Sequence, residues 1–142
     1  MTYQQTLEFR TRGRGTTNIT EDVARVVAAS GVRTGLCTAF VQHTTASLVL
    51  CENADPDVRR DLETLFARLA PDGDPAWRHD TEGPDDMASH ARSILAGSSL
   101  TVPVANGRLA LGTWQGLYLW EHHRAPHERR VVVPVVGESH RS

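Results

Sequence analysis

The order in which helix and strand patterns follow one another constrains this chain most. Helix patterns are confined to its first two-thirds, whereas its last third contains only strand patterns. This order is not the regular alternation of strand and helix that builds a parallel sheet. It predicts an α+β fold, in which a mostly antiparallel sheet packs with about three helices. A length of 142 residues fits one domain, 1–142.

The three helix patterns cover residues 21–30, 56–69 and 84–97. Thr20 is the expected cap of the first helix, and Asp55-Pro56 is a typical start for the second, with a capping side chain before a proline. The second helix has an amphipathic apolar stripe, formed by Val58, Leu62, Leu65, Phe66 and Leu69. Strand patterns cover residues 6–10, 34–41, 47–51, 100–104, 108–111, 117–121 and 130–136. Asn106-Gly107 predicts a hairpin between two of these strands.

Composition excludes several classes of protein. The formal net charge is −2, whereas a nucleic-acid binder of this size is usually clearly basic. We interpret the one basic cluster, Arg10, Arg12 and Arg14, as a solvated loop. No apolar run approaches the ~18 residues of a membrane span, and no signal peptide is visible. We therefore expect a cytoplasmic protein that binds neither nucleic acid nor membrane, with Cys37 and Cys51 reduced and buried.

Two strand ends carry polar side chains. His43 ends one strand and begins a hydroxyl-rich turn, whose Thr44, Thr45 and Ser47 could hold phosphate oxygens. The alternative is a hydrogen-bonded turn with a satisfied histidine. Glu52-Asn53 ends the next strand, where Glu52 could reach His43 or could instead cap the following helix.

The stretch 77–90 is the densest cluster of metal-ligating residue types, with two histidines and four carboxylates. Asp86 and His90 are spaced i, i+4 and therefore share a helical face, and His79 can fold back toward it. Imidazole with carboxylate is a normal ligand set for zinc, manganese or iron. The alternative is helix-start electrostatics, which accounts for the aspartates but not for the histidines.

Three further groups are less specific. Trp114-Gln115 lies between two glycines, which indicates either close approach of a ligand or a bulge with a core tryptophan. His122, His123 and His127 are typical of an exposed hairpin loop, and we expect no role for them. His140, in the C-terminal tail, is also expected to have none.

Taken together, these segments resemble the YjbQ family, also called UPF0047 or the secondary thiamine-phosphate synthase family. The matching segments are His43-Thr44-Thr45-Ala46, Glu52-Asn53, His79-Asp80-x-Glu82-Gly83, Asp85-Asp86-Met87-x-x-His90, Asn106-Gly107-Arg108-Leu109, Gly112-Thr113-Trp114-Gln115-Gly116, Glu121 and Gly137-Glu138. They occur in order over nearly the whole chain. The family pattern differs at Ala88-Ser89, at Arg92 and in the loop 122–129, so only Arg130 is carried over from the family's turn that this loop replaces.

The resemblance implies a homotrimer with a cleft near a subunit interface, a bound metal, and thiamine-phosphate synthase activity. In that reaction a thiazole phosphate attacks the methylene of a pyrimidine pyrophosphate, and pyrophosphate leaves. We expect a divalent ion, zinc in crystals or else magnesium or manganese, with His43, His79 and His90 as its ligands. Asp86, Glu52 and Gln115 are the expected catalytic residues. The expected substrate-binding residues are Thr44, Thr45, Ser47, Asn53, Arg92, Trp114, Glu121 and Arg130.

Two alternatives need the same cleft. One is a non-catalytic trimer that holds a metal and a phosphorylated metabolite. The other is a metal-dependent phosphoester hydrolase, which requires an open position for water on the metal.

Overall fold

A computed structural model describes residues 1–139, which form eight strands and three helices. In chain order these are β1 Thr2–Arg10, β2 Gly15–Asn18, α1 Thr20–Ser30, β3 Thr34–Val41, β4 Ala46–Glu52, α2 Pro56–Leu69, α3 Asp86–Ala96, β5 Ser99–Ala105, β6 Arg108–Leu109, β7 Gln115–Glu121 and β8 Glu128–Glu138. His140, for which the sequence analysis expects no role, lies outside the described residues. None of the helices in 1–139 is long and apolar enough to cross a membrane.

The strands form two sheets, and every strand pair within the described residues is antiparallel. The larger sheet has the order β1-β8-β3-β5-β6, and the smaller has the order β2-β7-β4. The predicted α+β class with mostly antiparallel sheet is confirmed. The short strand β2 lies in a segment for which the sequence predicted a loop.

The core lies between the two sheets and α1. Alternate residues of β8, Val131, Val133 and Val135, are fully buried there, because successive side chains of a strand point to opposite faces. From the helix side, Val23 and Val27 pack into the same core. Each such side chain contributes roughly 1.5–3 kcal/mol when it leaves water.

The predicted start of α2 is confirmed, because the Asp55 side chain accepts a hydrogen bond from Asp57 N (2.9 Å) and Pro56 is the first helical residue. Its apolar stripe is less buried than expected, and no residue of α2 is fully buried. Phe66 packs against Trp120 with ring centroids 4.6 Å apart, while Leu65 and Leu69 remain exposed.

Thr20 is not the cap of α1. It is the first helical residue, and the Asn18 carboxamide oxygen accepts hydrogen bonds from its N–H and hydroxyl (3.0 and 2.7 Å).

The hairpin prediction is confirmed, since Asn106 (φ 53°) and Gly107 (φ 76°) both adopt the left-handed conformation between β5 and β6. Positive φ at both central residues is the property of a two-residue type I′ turn.

The basic cluster is not uniformly solvated. Arg12 is exposed, whereas Arg14 donates to both carboxylate oxygens of Asp72 (2.8 and 2.9 Å), which also pairs with Arg124. The interpretation of Arg14 as a solvated side chain is therefore wrong, because a distant loop folds onto it.

Both cysteines are free, but only Cys37 is fully buried, and burial raises the pKa of its thiol to about 11.

Candidate metal centre and its surroundings

The start of α3 and the loop before it bring three potential ligands together. His79 Nε2 and His90 Nε2 lie 2.7 and 3.1 Å from the same carboxylate oxygen, Asp86 Oδ2. One ligand atom from each residue lies within 4.8 Å of the other two. His90 follows Asp86 by one helical turn, so the spacing in sequence places them on one face. His79 and Asp86 meet because the 77–85 loop turns back over the helix.

Asp86 is the central residue of this group. It is buried, and its second oxygen, Oδ1, is 2.6 Å from His123 Nε2. Burial opposes ionisation of the carboxyl group, but the hydrogen bonds from His123 and His79 outweigh it and lower the pKa of Asp86. The side chain is therefore an anionic oxygen donor at neutral pH.

His123 corrects one expectation from the sequence. It was expected to lie in an exposed loop without a role, yet its side chain is largely covered and contacts two aspartates. Nδ1 lies 3.3 Å from Asp85 Oδ2, and Nε2 binds Asp86. A histidine that holds the second oxygen of a ligating carboxylate fixes its orientation.

The donor set suits a divalent transition metal. Two imidazole nitrogens and one carboxylate oxygen are typical of zinc, manganese or iron sites, and a three-residue set leaves coordination positions for water or substrate. The residues that the structure brings together thus fit the ion that the sequence predicts. The third member of the group is Asp86, which was predicted to be a catalytic residue, and not His43.

His43 lies close by but outside the group. Its Nε2 accepts a hydrogen bond from Arg130 N (2.9 Å), so this nitrogen is not free to bind a metal. His43 and His90 line the same cleft of about 310 Å³, together with the exposed Thr44. Burial and the nearby Arg129 lower the pKa of His43, which favours the neutral ring. In this arrangement His43 is a cleft-lining residue.

A buried ion pair lies beneath the site. Arg129 donates to both carboxylate oxygens of Glu121 and to the Thr45 hydroxyl (2.9 Å), and the Thr11 hydroxyl donates to Glu121 (2.7 Å). Burial opposes ionisation of Glu121, but the bonds from Arg129 and Thr11 outweigh it and lower its pKa. Thr45 and Glu121, predicted to contact substrate, are instead committed to this internal network, because the loop 122–127 covers them.

A second buried cluster lies under α2. Ser47 Oγ is 2.8 Å from His122 Nε2, whose ring packs against Trp120. Arg92, only 1% exposed, donates to Glu63 (2.8 Å). The expectation that Ser47 and Arg92 contact phosphate is corrected, since neither can reach the cleft without leaving these partners.

His122 is also buried, contrary to the exposed loop predicted for it. Burial, with the nearby positive charges of Arg92, Arg14 and Arg129, lowers its pKa to about 3. Its Nδ1 is the one buried side-chain nitrogen or oxygen without a hydrogen bond among residues 1–139. The ring is therefore neutral in the folded protein.

The remaining predicted residues lie at the other end of the β4–β7 pair. Glu52 pairs with Gln115 there, whereas Ala46 pairs with Glu121 at the opposite end. That opposite end lies near His79, Asp86 and His90, which we call the metal group. Seven residues of strand separate the ends by about 20 Å. Glu52 Oε2 accepts from Asp55 N, and Gln115 Oε1 accepts from Gly112 N (both 2.8 Å), so both have the capping or turn role that was the alternative.

At that far end, Asn53 and Trp114 are exposed, and Trp114 retains 63% of its accessible surface. The alternative in which Trp114 is a core residue is therefore not supported within one chain. Arg130, in contrast, is exposed at the near end and lines a cleft with His43. Of the expected phosphate contacts, Thr44 is accessible in the cleft that His90 lines, and Arg130 is accessible on the other side of His43, where it pairs with Glu8 (3.8 Å).

Sequence comparison places relatives of this chain in one family. The family model described as "UPF0047 protein YjbQ-like" matches residues 5–138. A UPF0047 protein from Synechocystis sp. is 52% identical over 136 residues, which cover 96% of this chain and 92% of that protein. The UPF0047 protein YjbQ from Escherichia coli O157:H7 is 43% identical over 139 residues, covering 97% of this chain and 100% of the relative.

Solved structures show the same fold. A YbjQ-like protein from Sulfolobus solfataricus superposes with a TM-score of 0.85 at 26% identity, covering 97% of this chain and 100% of the other. A conserved hypothetical protein from Thermus thermophilus has a TM-score of 0.82 at 40% identity, with coverages of 93% and 99%. Sequence match and fold agree over almost the whole length, and the chain belongs to the UPF0047 family of YjbQ-like proteins.

Proposed function

We propose that this protein is a metal-dependent transferase that acts on a phosphorylated small molecule, in a reaction resembling secondary thiamine-phosphate synthase. The observation that carries the proposal is the convergence of His79, Asp86 and His90 between two clefts, with all three donor atoms within 4.8 Å of one another. In the proposed reaction, the ring nitrogen of a thiazole phosphate attacks the methylene carbon of a pyrimidine pyrophosphate. The bond from that carbon to oxygen breaks, and pyrophosphate leaves with the electron pair.

Each accessible residue then has a distinct task. A divalent ion held by His79, Asp86 and His90 would neutralise charge on the departing pyrophosphate. His123 keeps the Asp86 carboxylate in one orientation through its 2.6 Å contact. The exposed Thr44 hydroxyl and the Arg130 guanidinium, which would exchange its exposed pair with Glu8 (3.8 Å), would hold phosphate oxygens beside His43 through charge-assisted hydrogen bonds.

The homotrimer also belongs to this proposal. The outer face of the larger sheet exposes apolar side chains on adjacent strands, with Leu36, Phe40 and Val136 retaining 48%, 45% and 42% of their surface. Apolar patches of this kind mark surfaces that pack against another protein. A second copy of the chain would cover them, and it offers a route by which the exposed Trp114 and Gln115 of one subunit meet the metal group of another.

The test of the trimer combines mass with complementation. We expect a trimeric mass in solution, and we expect Phe40→Glu to reduce it to a monomer. If sites are shared, mixing His90→Ala with Gln115→Ala subunits will restore turnover that each variant lacks alone. A monomeric mass for the unaltered protein would contradict the trimer.

The test of the reaction supplies both substrates with and without added zinc, manganese or magnesium, and follows pyrophosphate release. We expect turnover that chelation abolishes, that His90→Ala removes, and that His127→Ala retains, since His127 is outside the three-ligand group. Equal turnover by His90→Ala and the unaltered protein would contradict the site. Because a three-ligand set also leaves a position for water, a panel of phosphate esters is assayed in parallel, and phosphate release without transfer would identify a hydrolase.

A further inference from the structure

The connection between α2 and α3, residues 70–85, contains neither helix nor strand, and His79 lies in it. Connections longer than ~12–15 residues without secondary structure of their own usually have a function. We infer that residues 74–83 form a lid over the metal group, and that His79 is a metal ligand that is released whenever the lid opens. The role of His79 as a ligand rests on the proposed function, whereas the freedom of the lid rests on its own contacts.

The lid is held to the rest of the protein at one point. Within the described residues, its only hydrogen bond to a residue outside the connection is the contact of His79 Nε2 with Asp86 Oδ2 (2.7 Å). Its other hydrogen bonds stay inside the connection, as when the Trp77 N–H donates to the Asp74 carbonyl (3.0 Å). No residue of the lid is buried. Segments with so few buried contacts open at a small cost in free energy.

The base of the lid is narrow and contains two glycines. The Gly73 N–H donates to the Pro84 carbonyl (2.7 Å), which brings the two ends of the lid together as in an Ω-loop. Gly73 (φ 66°) and Gly83 (φ 99°) both have positive φ, which glycine adopts without the steric cost that a Cβ imposes. A cleft of about 360 Å³ separates the lid from Met87 of α3, so the lid is not packed tightly on the helix. This geometry allows the lid to rotate about its base.

The other two residues of the metal group are fixed in place. Asp86 and His90 belong to α3, which is attached to β4 because the Ser93 hydroxyl donates to the Ala46 carbonyl (2.9 Å). The Asp86 side chain retains 4% of its accessible surface, whereas that of His79 retains 46%. The three-residue set is therefore complete only while the lid is closed. An open lid leaves two protein ligands and one more coordination position for water or substrate.

Closure of the lid and affinity for a metal ion are then linked. The open protein offers two ligands and the closed protein offers three. Thermodynamic linkage requires that the factor by which His79 raises the affinity equals the factor by which a saturating ion lowers the open fraction of the lid. Loss of an outer-shell partner alone typically costs 10–100-fold in metal affinity, so a direct ligand should contribute at least about 10-fold.

The experiment measures the open fraction of the lid with trypsin. Arg78 is exposed within the lid, and cleavage after it gives the fragments 1–78 and 79–142, which mass spectrometry identifies. When the lid moves faster than the protease cleaves, the cleavage rate reports the open fraction. We expect saturating zinc to slow this cleavage at least about 10-fold in the unaltered protein and to leave it unchanged in His79→Ala. The zinc affinity of both proteins is measured by calorimetry, and the loss in His79→Ala should equal the protection factor.

Three controls separate lid closure from other effects of zinc. Arg78→Gln should abolish the two fragments and leave all other cleavage unchanged. A synthetic peptide of residues 73–84 should be cleaved at the same rate with and without zinc, which excludes an effect on trypsin itself. Hydrogen exchange of the Trp77 N–H, which is bonded to the Asp74 carbonyl and is not a ligand, should slow with zinc in the unaltered protein and not in His79→Ala.

Zinc binding without slower cleavage after Arg78 would overturn the lid and leave the metal group intact. Equal zinc affinity in His79→Ala and the unaltered protein would overturn the role of His79 as a ligand. If the unaltered protein bound no zinc, the inference and the proposed metal dependence would both fail. Because none of these readouts uses turnover, protection that matches the affinity factor in a protein without transferase activity would support the lid and reject the reaction.

Discussion

The two ends of the β4–β7 strand pair carry similar residues but differ in what surrounds them. At one end, Glu121 is buried against Arg129, and the chain continues into the loop that contains His123. At the other end, Glu52 and Gln115 are accessible and hold the local turns. Both ends have a carboxylate beside a polar turn, which is the pattern that the sequence associates with a site.

The difference is the number of chain segments that converge. At the Glu121 end, the β1–β2 connection, the 77–85 loop, α3 and the β7–β8 loop all meet, and their polar groups lose water together. At the Glu52 end, α2, the 112–115 turn and the start of α1 at Ile19 and Thr20 contact the strand pair, and solvent reaches the side chains of Glu52 and Gln115. Several polar groups that lose water must pair with one another or bind an ion. A candidate metal centre thus needs convergence as well as suitable residues.

The largest expected effect of a single change is at the buried ion pair. Glu121→Gln should lower the free energy of unfolding by roughly 3–5 kcal/mol, because it leaves the Arg129 charge buried without a partner. Urea denaturation measures this, with Glu8→Gln, an exposed glutamate, as a nearly neutral control. The double variant Glu121→Gln/Arg129→Met should recover part of the loss. A loss below about 1 kcal/mol would mean that water enters this end of the strand pair.

The next largest effect concerns metal affinity. Asp86→Asn should weaken zinc binding by about 100-fold or more, because it removes the anionic oxygen shared by His79 and His90. Isothermal titration calorimetry of the chelator-treated protein measures the affinity. Glu52→Gln, at the far end, is the matched carboxylate control and should leave the affinity unchanged. If Asp86→Asn and Glu52→Gln lowered the zinc affinity equally, the ion would not be bound specifically at the Glu121 end of the strand pair.

The stability of the near end should depend on pH through His122. Its pKa is about 3 in the folded protein and near 6.5 in the unfolded chain, so only the unfolded chain binds a proton between these values. The stabilisation is fully present above pH 6.5 and is lost as pH falls toward 3, by up to about 1.4 kcal/mol per pH unit. Comparing urea denaturation at pH 7 and pH 5 avoids most of the titration of Asp86 and Glu121, whose lowered pKa values act at more acid pH.

His122→Phe should remove the larger part of this dependence while filling the same apolar space beside Trp120, and the part that remains comes from His43, whose pKa burial also lowers. His127→Phe, at an accessible position, serves as the control and should retain the dependence. If the His122→Phe protein and the unaltered protein lose the same stability between pH 7 and pH 5, the buried ring does not carry the effect.

The smallest expected effect is at the far end. Asp55→Ala removes the cap of α2 and should lower the free energy of unfolding by about 1 kcal/mol, without changing zinc affinity. Asp57→Ala, which removes an exposed pair with Arg60 and one exposed charge from the first turn of α2, should cost a few tenths of a kcal/mol. A larger loss for Asp57→Ala than for Asp55→Ala would show that the cap is not what the carboxylate contributes.

Elements that depend on residues close together in the sequence could be predicted with bounds near the observed ones. The bounds of β3, residues 34–41, agree with the prediction, and α2 begins at the proline after its predicted cap. Asn106-Gly107 forms its hairpin because positive φ at both positions is a property of those two residues. Likewise, the i, i+4 spacing of Asp86 and His90 was enough to put them on one face of α3.

Burial could not be predicted in the same way. Two adjacent histidines just after β7 lie in different environments, since the His122 ring packs inward on Trp120 and His123 contacts Asp86. The signal that was available is the strand alternation continuing past Glu121, which puts consecutive side chains on opposite faces. Arg92 is a residue type that often binds phosphate, but α2 covers its side chain and Glu63 neutralises its charge.

The sequence by itself determined the α+β class, the Asn106-Gly107 hairpin, the capped start of α2, and the family to which the chain belongs, because these depend on residue type and on spacing along the chain. Only the tertiary structure decided which polar groups share a site: Asp86 rather than His43 completes the candidate group, and His123 supports it. Glu52 and Gln115 lie at the opposite end of the β4–β7 pair, about 20 Å along the strands from Ala46 and Glu121. The physical reason is that pairing and loss of water depend on contacts between segments distant in sequence, which residue spacing does not encode.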